Sequence, residues 1–121
     1  MLNLSQRCFG VVLLKILEND GIKINSSNFE MPTTIANSQG RGIDCMNSGI
    51  EVLGSDFTNL YAGIVMTNTV PINYSSKIGW AASSNQNSFN DNAHGIIAFS
   101  PNQLDVYNNY FSGGGDGVYI T

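Results

Sequence analysis

Charge is what this chain has least of. Asp, Glu, Lys and Arg make up 12% of its 121 residues, about half the usual share of ~25%. Five residues are basic and the net charge is -4. Nucleic-acid binding by counterion release needs clustered Lys and Arg, and no such cluster exists here. There are two cysteines, Cys8 and Cys45. Two cannot define a disulfide framework, and their surroundings show no zinc-ligand spacing. No apolar run approaches the ~20 residues of a membrane span. The stretch Phe9 to Leu17 is apolar but is broken by Lys15, and it lacks the small-residue cleavage pattern of a signal peptide. These absences exclude a nucleic-acid binder, a disulfide scaffold and membrane insertion by a long helix.

Asn, Ser, Gly and Thr take the place of charge, and they separate short apolar runs that repeat. Four segments open on glycine: Gly42-Ile43-Asp44-Cys45, Gly63-Ile64-Val65-Met66, Gly95-Ile96-Ile97-Ala98 and Gly117-Val118-Tyr119-Ile120. A second strand-like segment follows each of the first three: Ile50-Glu51-Val52, Ile72-Asn73-Tyr74 and Leu104-Asp105-Val106. A polar turn ending in Phe57, Phe89 or Phe111 comes next, and the following Gly is always six residues further on. A period of this size means stacked repeats. Alternation puts Ile43, Ile64, Ile96 and Val118 on one face of the first strand, together with Cys45, Met66, Ala98 and Ile120. Such strands are too short to stand alone, so each coil must bury its apolar face against the next. Cys45 then reads as a buried thiol.

The offsets also phase the N-terminal part. Ile22 lies seven residues before Phe29, as Ile50 does before Phe57 and Leu104 before Phe111. Ile22-Lys23-Ile24 is therefore a second strand. The first strand of that coil is Gly10-Val11-Val12-Leu13, or a helix that caps the barrel end. The minimal coil is 21 to 22 residues, and two coils carry about ten more. The first surplus is a loop from Glu30 to Arg41; the second lies within Ser75 to Gln86 and contains the only tryptophan, Trp80. Both are expected to leave the coil after the second strand, on one side and about 10 Å apart. Insertions on one face of a solenoid are often its binding face.

Coils of about 22 residues, Gly-Ile strand starts and Asn-rich turns before an aromatic resemble the right-handed parallel β-helix repeat of the pectate-lyase-like superfamily. The resemblance covers residues 10 to 121. It implies an all-β, right-handed parallel β-helix of four to five coils, with residues 1–9 as a cap or extension. It also implies an extracellular or cell-surface location and a polysaccharide partner. It does not specify an activity, since the fold carries lyases, hydrolases, epimerases and inert scaffolds. No cofactor is expected, apart from Ca²⁺ if the chain is lyase-like.

The residues before the strand-one glycines form a column, Arg41, Ala62, His94 and Asp116. His94 and Asp116 belong to consecutive coils, so the only His is expected about one strand spacing from a carboxylate. Asp91 lies three residues before His94. In polygalacturonases a Gly-His-Gly turn carries a catalytic-site His. The matching residues here are His94 and Gly95 within Ala93-His94-Gly95, and the paired aspartates of that family are missing. The catalytic candidates are thus His94, Asp116, Asp91 and Arg41, with a surface ion pair as the plainer reading. For a lyase the outward carboxylates Glu51 and Asp105 are expected to be separated by Asn73, too scattered for a six-to-eight-oxygen calcium site. Trp80 stands in an insertion and can stack on a sugar ring, with Lys77, Asn85 and Gln86 as polar neighbours; folding of its own loop is the alternative. The outward stripe Asp44, Val65, Ile97 and Tyr119, extended by Phe99, is expected to need a cover.

The chain stops at Thr121 directly after a strand. The incomplete last coil leads us to expect a piece of a longer β-helix, or an end that meets further coils or a second chain. Two functions follow. One is a secreted or surface segment that binds polysaccharide or serves as a scaffold. The other is a polysaccharide lyase, hydrolase or epimerase centred on His94. A self-associating shaft is a third.

Overall fold

The computed structural model describes residues 11–34, 39–82, 84 and 86–121. Among them, thirteen strands form three stacked sheets in which every pairing is parallel. The first sheet runs β1 (Val12–Leu17), β4 (Arg41–Met46), β7 (Ala62–Thr67), β10 (His94–Phe99) and β13 (Asp116–Ile120). The second holds β2 (Ile22–Asn25), β5 (Ile50–Leu53), β8 (Ser75–Ile78) and β11 (Gln103–Val106). The third holds β3 (Asn28–Glu30), β6 (Asp56–Thr58), β9 (Ser88–Asn90) and β12 (Tyr110–Ser112). Successive strands go to successive sheets, so the chain winds through four three-strand coils and enters a fifth. This is the arrangement of a parallel β-helix. The residues 1–9 read as a cap, and Cys8, lie outside the described residues.

The core follows the predicted first-strand columns as far as β10; Val118 and Ile120 of β13 continue them in register but are 40% and 57% exposed. Ile43, Ile64 and Ile96 stack in register, as do Cys45, Met66 and Ala98, and all six are buried. The phenylalanines make a third column. Phe29, Phe57, Phe89 and Phe111 stack face to face with centroids 5.0, 4.7 and 4.9 Å apart. That spacing is the strand repeat itself, so identical rings in register stack along the corner. The segments carrying these rings are strands, where polar turns were expected.

Turn chemistry explains the wealth of Asn. Asn47, Asn59, Asp91 and Asn108 all have φ between 50° and 56°, the left-handed region that Asn and Asp tolerate best. The residues two before each stacked Phe, Ser27, Ser55, Asn87 and Asn109, form one side-chain ladder. The Ser27 amide donates to Ser55 Oγ (3.1 Å), the Ser55 amide to Asn87 Oδ1 (2.9 Å), and Asn87 Nδ2 to Asn109 Oδ1 (2.9 Å). Asn87 is fully buried and also donates to the Val52 carbonyl. A buried amide so satisfied fixes the turn, because each lost partner would leave a desolvated polar group.

Three details correct the sequence reading. The first strand is Val12–Leu17, with Leu14 beside Ile43 and Ile16 beside Cys45; Leu13 thus falls between pairs where other coils have glycine, and Gly10 lies outside the described residues. In the third coil the second strand is Ser75–Ile78, while Ile72, Asn73 and Tyr74 are loop. Ile78 fills the core position beside Val52 at 0% exposure. Ser76 takes the inward place that an apolar residue holds elsewhere, and its hydroxyl accepts the Ile50 amide at 3.1 Å. The extra residues are consequently split between two corners of that coil, before and after β8. The first coil's surplus leaves from the remaining corner, between β3 and β4. The insertions do not share one side.

Candidate functional site

The register puts Arg41 beside Ala62, Ala62 beside His94, and His94 beside Asp116. His94 Nδ1 lies 3.3 Å from Asp116 Oδ2, with side-chain exposures of 28% and 59%. The atoms are within ion-pair reach, yet their alignment falls short of a hydrogen bond and leaves the buried Nδ1 without one. The Tyr61 ring meets the imidazole edge-on at 5.2 Å. Arg41 stands two strands from His94 and pairs with Asp44 at 3.0 Å instead. Asp91 occupies a left-handed turn position where its amide donates to the Ser112 carbonyl. A cavity of about 270 Å³ touches Asp116, but glycines and the Phe89 and Phe111 rings line most of it and His94 is not in its wall. The four catalytic candidates therefore split: His94 and Asp116 meet, and Arg41 is engaged elsewhere. Among the described residues, no three of His, Cys, Asp and Glu converge as metal ligands.

A second group forms around the turn after β8. Trp80 is 43% exposed and Tyr107, one coil on, is 56% exposed. Their ring centroids are 6.3 Å apart and tilted by 55°. Asn108 Nδ2 donates to the Trp80 carbonyl at 3.2 Å, which ties the turn to the next coil. Lys77 sets its Nζ 3.6 Å from the centre of the Trp80 ring, a cation–π contact that covers one ring face. Gln86 is exposed in the same turn, and Asn85 lies outside the described residues. From the sequence Tyr107 is one of several rings that could face a sugar, with packing at a coil corner the favoured reading; it is instead 56% exposed. It follows a core strand, and only the coil-to-coil register brings it beside Trp80.

The outward carboxylates are also rearranged. Glu51 neighbours Lys77, not Asn73, and Lys77 neighbours Asp105. On the first sheet's outer face, Val65 and Ile97 are each only 5% exposed and form a small cluster with Ala62, against which Tyr61 packs. The stripe is covered there and open only at Tyr119 and Phe99, 49% and 40% exposed.

Cys45 is free and 1% exposed. Burial, with the neighbouring Asp44 carboxylate adding to it, pushes its thiol up to about 12. The thiolate is the reactive form, so native Cys45 is inert. In a Cys8→Ser background, iodoacetamide at pH 8 is expected to label Cys45 only as fast as the protein unfolds. Rapid labelling without denaturant, read by mass spectrometry, would contradict this. The raised value also sets a sign. Stability from the neutral buried thiol is whole below the unfolded thiol value of ~8.5 and is lost as pH climbs toward 12. The stability gap between the native chain and Cys45→Ala is expected to narrow over that window.

Comparison of the chain with protein-family models, with curated proteins and with solved structures finds no match in any of the three.

Proposed function

We propose that this chain is a right-handed parallel β-helix of the pectate-lyase-like kind, from a secreted or surface protein, and that it binds polysaccharide at the corner carrying Trp80 and Tyr107. The observation that carries the reading is the pair of exposed rings on consecutive coils, with the Lys77 ammonium beside them. Large aromatic faces left open in a chain this poor in charge favour a ligand with flat apolar faces and polar edges. Sugar rings have that character. Lys77 adds a preference for an acidic sugar, and Gln86 offers an amide to hydroxyls.

Trp80 is the only tryptophan, so its fluorescence reports on the site directly. Titration with acidic oligosaccharides is expected to shift that emission. Calorimetry on Trp80→Ala is expected to show affinity reduced about tenfold or more, the loss of one aromatic platform. Unchanged affinity in Trp80→Ala would remove the proposal.

A second reading, a polysaccharide lyase, hydrolase or epimerase, is favoured by the 3.3 Å approach of His94 and Asp116. Appearance of new reducing or unsaturated ends during the same titrations would favour it over binding alone.

A further inference from the structure

Four charged side chains stand in one row on the outer face of the second sheet. Lys23 is paired in register with Glu51, Glu51 with Lys77, and Lys77 with Asp105. The row reads plus, minus, plus, minus along the long axis of the molecule. Neighbours are one strand spacing apart, ~4.8 Å, and like charges two spacings, about 10 Å. Among the described residues the ion pairs are Arg41–Asp44 and His94–Asp116, and none of the four takes part in one. A shallow concavity of about 210 Å³ is lined by all four charges together with Ser75 and Asp20. One member of the row, Lys77, also lies against the Trp80 ring. Lys77 therefore joins the row to the aromatic pair.

An alternating row of charges on a sheet is ordinarily a solvated face whose neighbours attract weakly across strands. Here it lines a concavity, and its charges are not tied up in ion pairs. It also adjoins the rings proposed to hold a sugar. We propose that the row reads the charge pattern of the bound glycan, selecting an acidic polymer with a carboxylate on every second sugar. The proposal rests on the binding reading above and names the ligand class for it. A disaccharide is close in length to two coil spacings. Successive carboxylates of such a polymer meet Lys23 and Lys77. The uncharged sugars between them pass Glu51 and Asp105, which accept hydrogen bonds from hydroxyl or amide N–H groups. A polymer with a carboxylate on every sugar sets alternate charges against Glu51 and Asp105, and like-charge contact is a strong means of rejecting a ligand. A neutral polymer gains nothing from either lysine.

The test is calorimetry with three oligosaccharides of equal length: a hyaluronan fragment, an oligogalacturonate and a neutral cello-oligosaccharide. The native chain is expected to bind the hyaluronan fragment about tenfold tighter than the oligogalacturonate, with the margin shrinking as salt rises. Glu51→Gln is expected to raise oligogalacturonate affinity about fivefold and so narrow the hyaluronan fragment's margin over it. Lys23→Gln, remote from Trp80 in the row, is expected to weaken the hyaluronan fragment by about fivefold. Equal binding of both acidic polymers, or no gain for oligogalacturonate in Glu51→Gln, overturns the charge-row proposal. If Trp80→Ala still weakens binding about tenfold or more in that case, the binding reading stands without it. Failure of all three sugars to bind or to move Trp80 emission overturns both.

Discussion

Gly63→Val is expected to destabilise the protein by at least about 3 kcal/mol, at the upper end of what overpacking a core costs. A Cβ at Gly63 would sit 2.7 Å from the Gly95 carbonyl oxygen and 2.7 Å from the Phe89 ring. The oxygen belongs to the backbone of the next coil and cannot step aside without breaking the stacking. Gly42 and Gly95 meet the same pair of obstacles, a glycine carbonyl one coil on and the phenyl ring of their own coil. Glycine and phenylalanine thus recur in phase because each ring packs where a side chain would otherwise be. Gly117 supplies the control. A Cβ there finds its nearest atom, in the Phe111 ring, at 3.5 Å, an ordinary contact. Gly117→Ala is expected to change stability by less than about 0.5 kcal/mol, as at unconstrained positions. Urea unfolding of both variants measures the contrast. Two losses of similar size would show that the close approach is not what the glycine column serves.

Phe57→Ala is expected to cost about 3–5 kcal/mol, the range for removing a buried aromatic side chain. Phe57 is fully buried between two rings, 5.0 Å from Phe29 and 4.7 Å from Phe89. Its loss leaves a hole in a column that neighbours cannot close, because strand pairing holds Phe29 and Phe89 one position away on either side. The loss is a large part of a typical domain's 5–15 kcal/mol. Phe111 touches one ring of the stack, Phe89, and is only partly buried, so Phe111→Ala is expected to cost about half as much. If Phe57→Ala proved no worse than Phe111→Ala in urea unfolding, the stack would be a coincidence of register and not a source of stability.

Both expectations concern the frame, and the frame is what makes the surface chemistry possible. Parallel stacking turns a residue at one offset into a row along the axis. Lys23, Glu51, Lys77 and Asp105 lie on four separate strands, yet they share one line because the strands share one register. Trp80 and Tyr107 are neighbours for the same reason. His94 and Asp116 are as well. The candidate sites are therefore properties of the pairing between coils, with no single segment carrying any of them.

By itself the sequence determined the period, the inward columns of the first strands and the meeting of His94 with Asp116. Side-chain alternation has a strict period of two, and Gly42, Gly63, Gly95 and Gly117 start their strands in the same phase, so these relations could be counted out along the chain. The Ser27, Ser55, Asn87 and Asn109 ladder was half legible, as two pairs at matching turn offsets. Only the tertiary structure joined them through hydrogen bonds. It alone also decided where the third coil's surplus goes. Ile72-Asn73-Tyr74 alternates as a strand should, and Ser76 looks like a loop residue. Ser76 nevertheless takes the core place, because its hydroxyl satisfies the Ile50 amide and Ile78 then fits against Val52. Counting fixes the face of a strand but not which of two candidate segments pairs. That choice lies in the summed packing and hydrogen bonding of neighbouring coils. A shift there of four residues moved Lys77 into line between Glu51 and Asp105, and the charge row came with it.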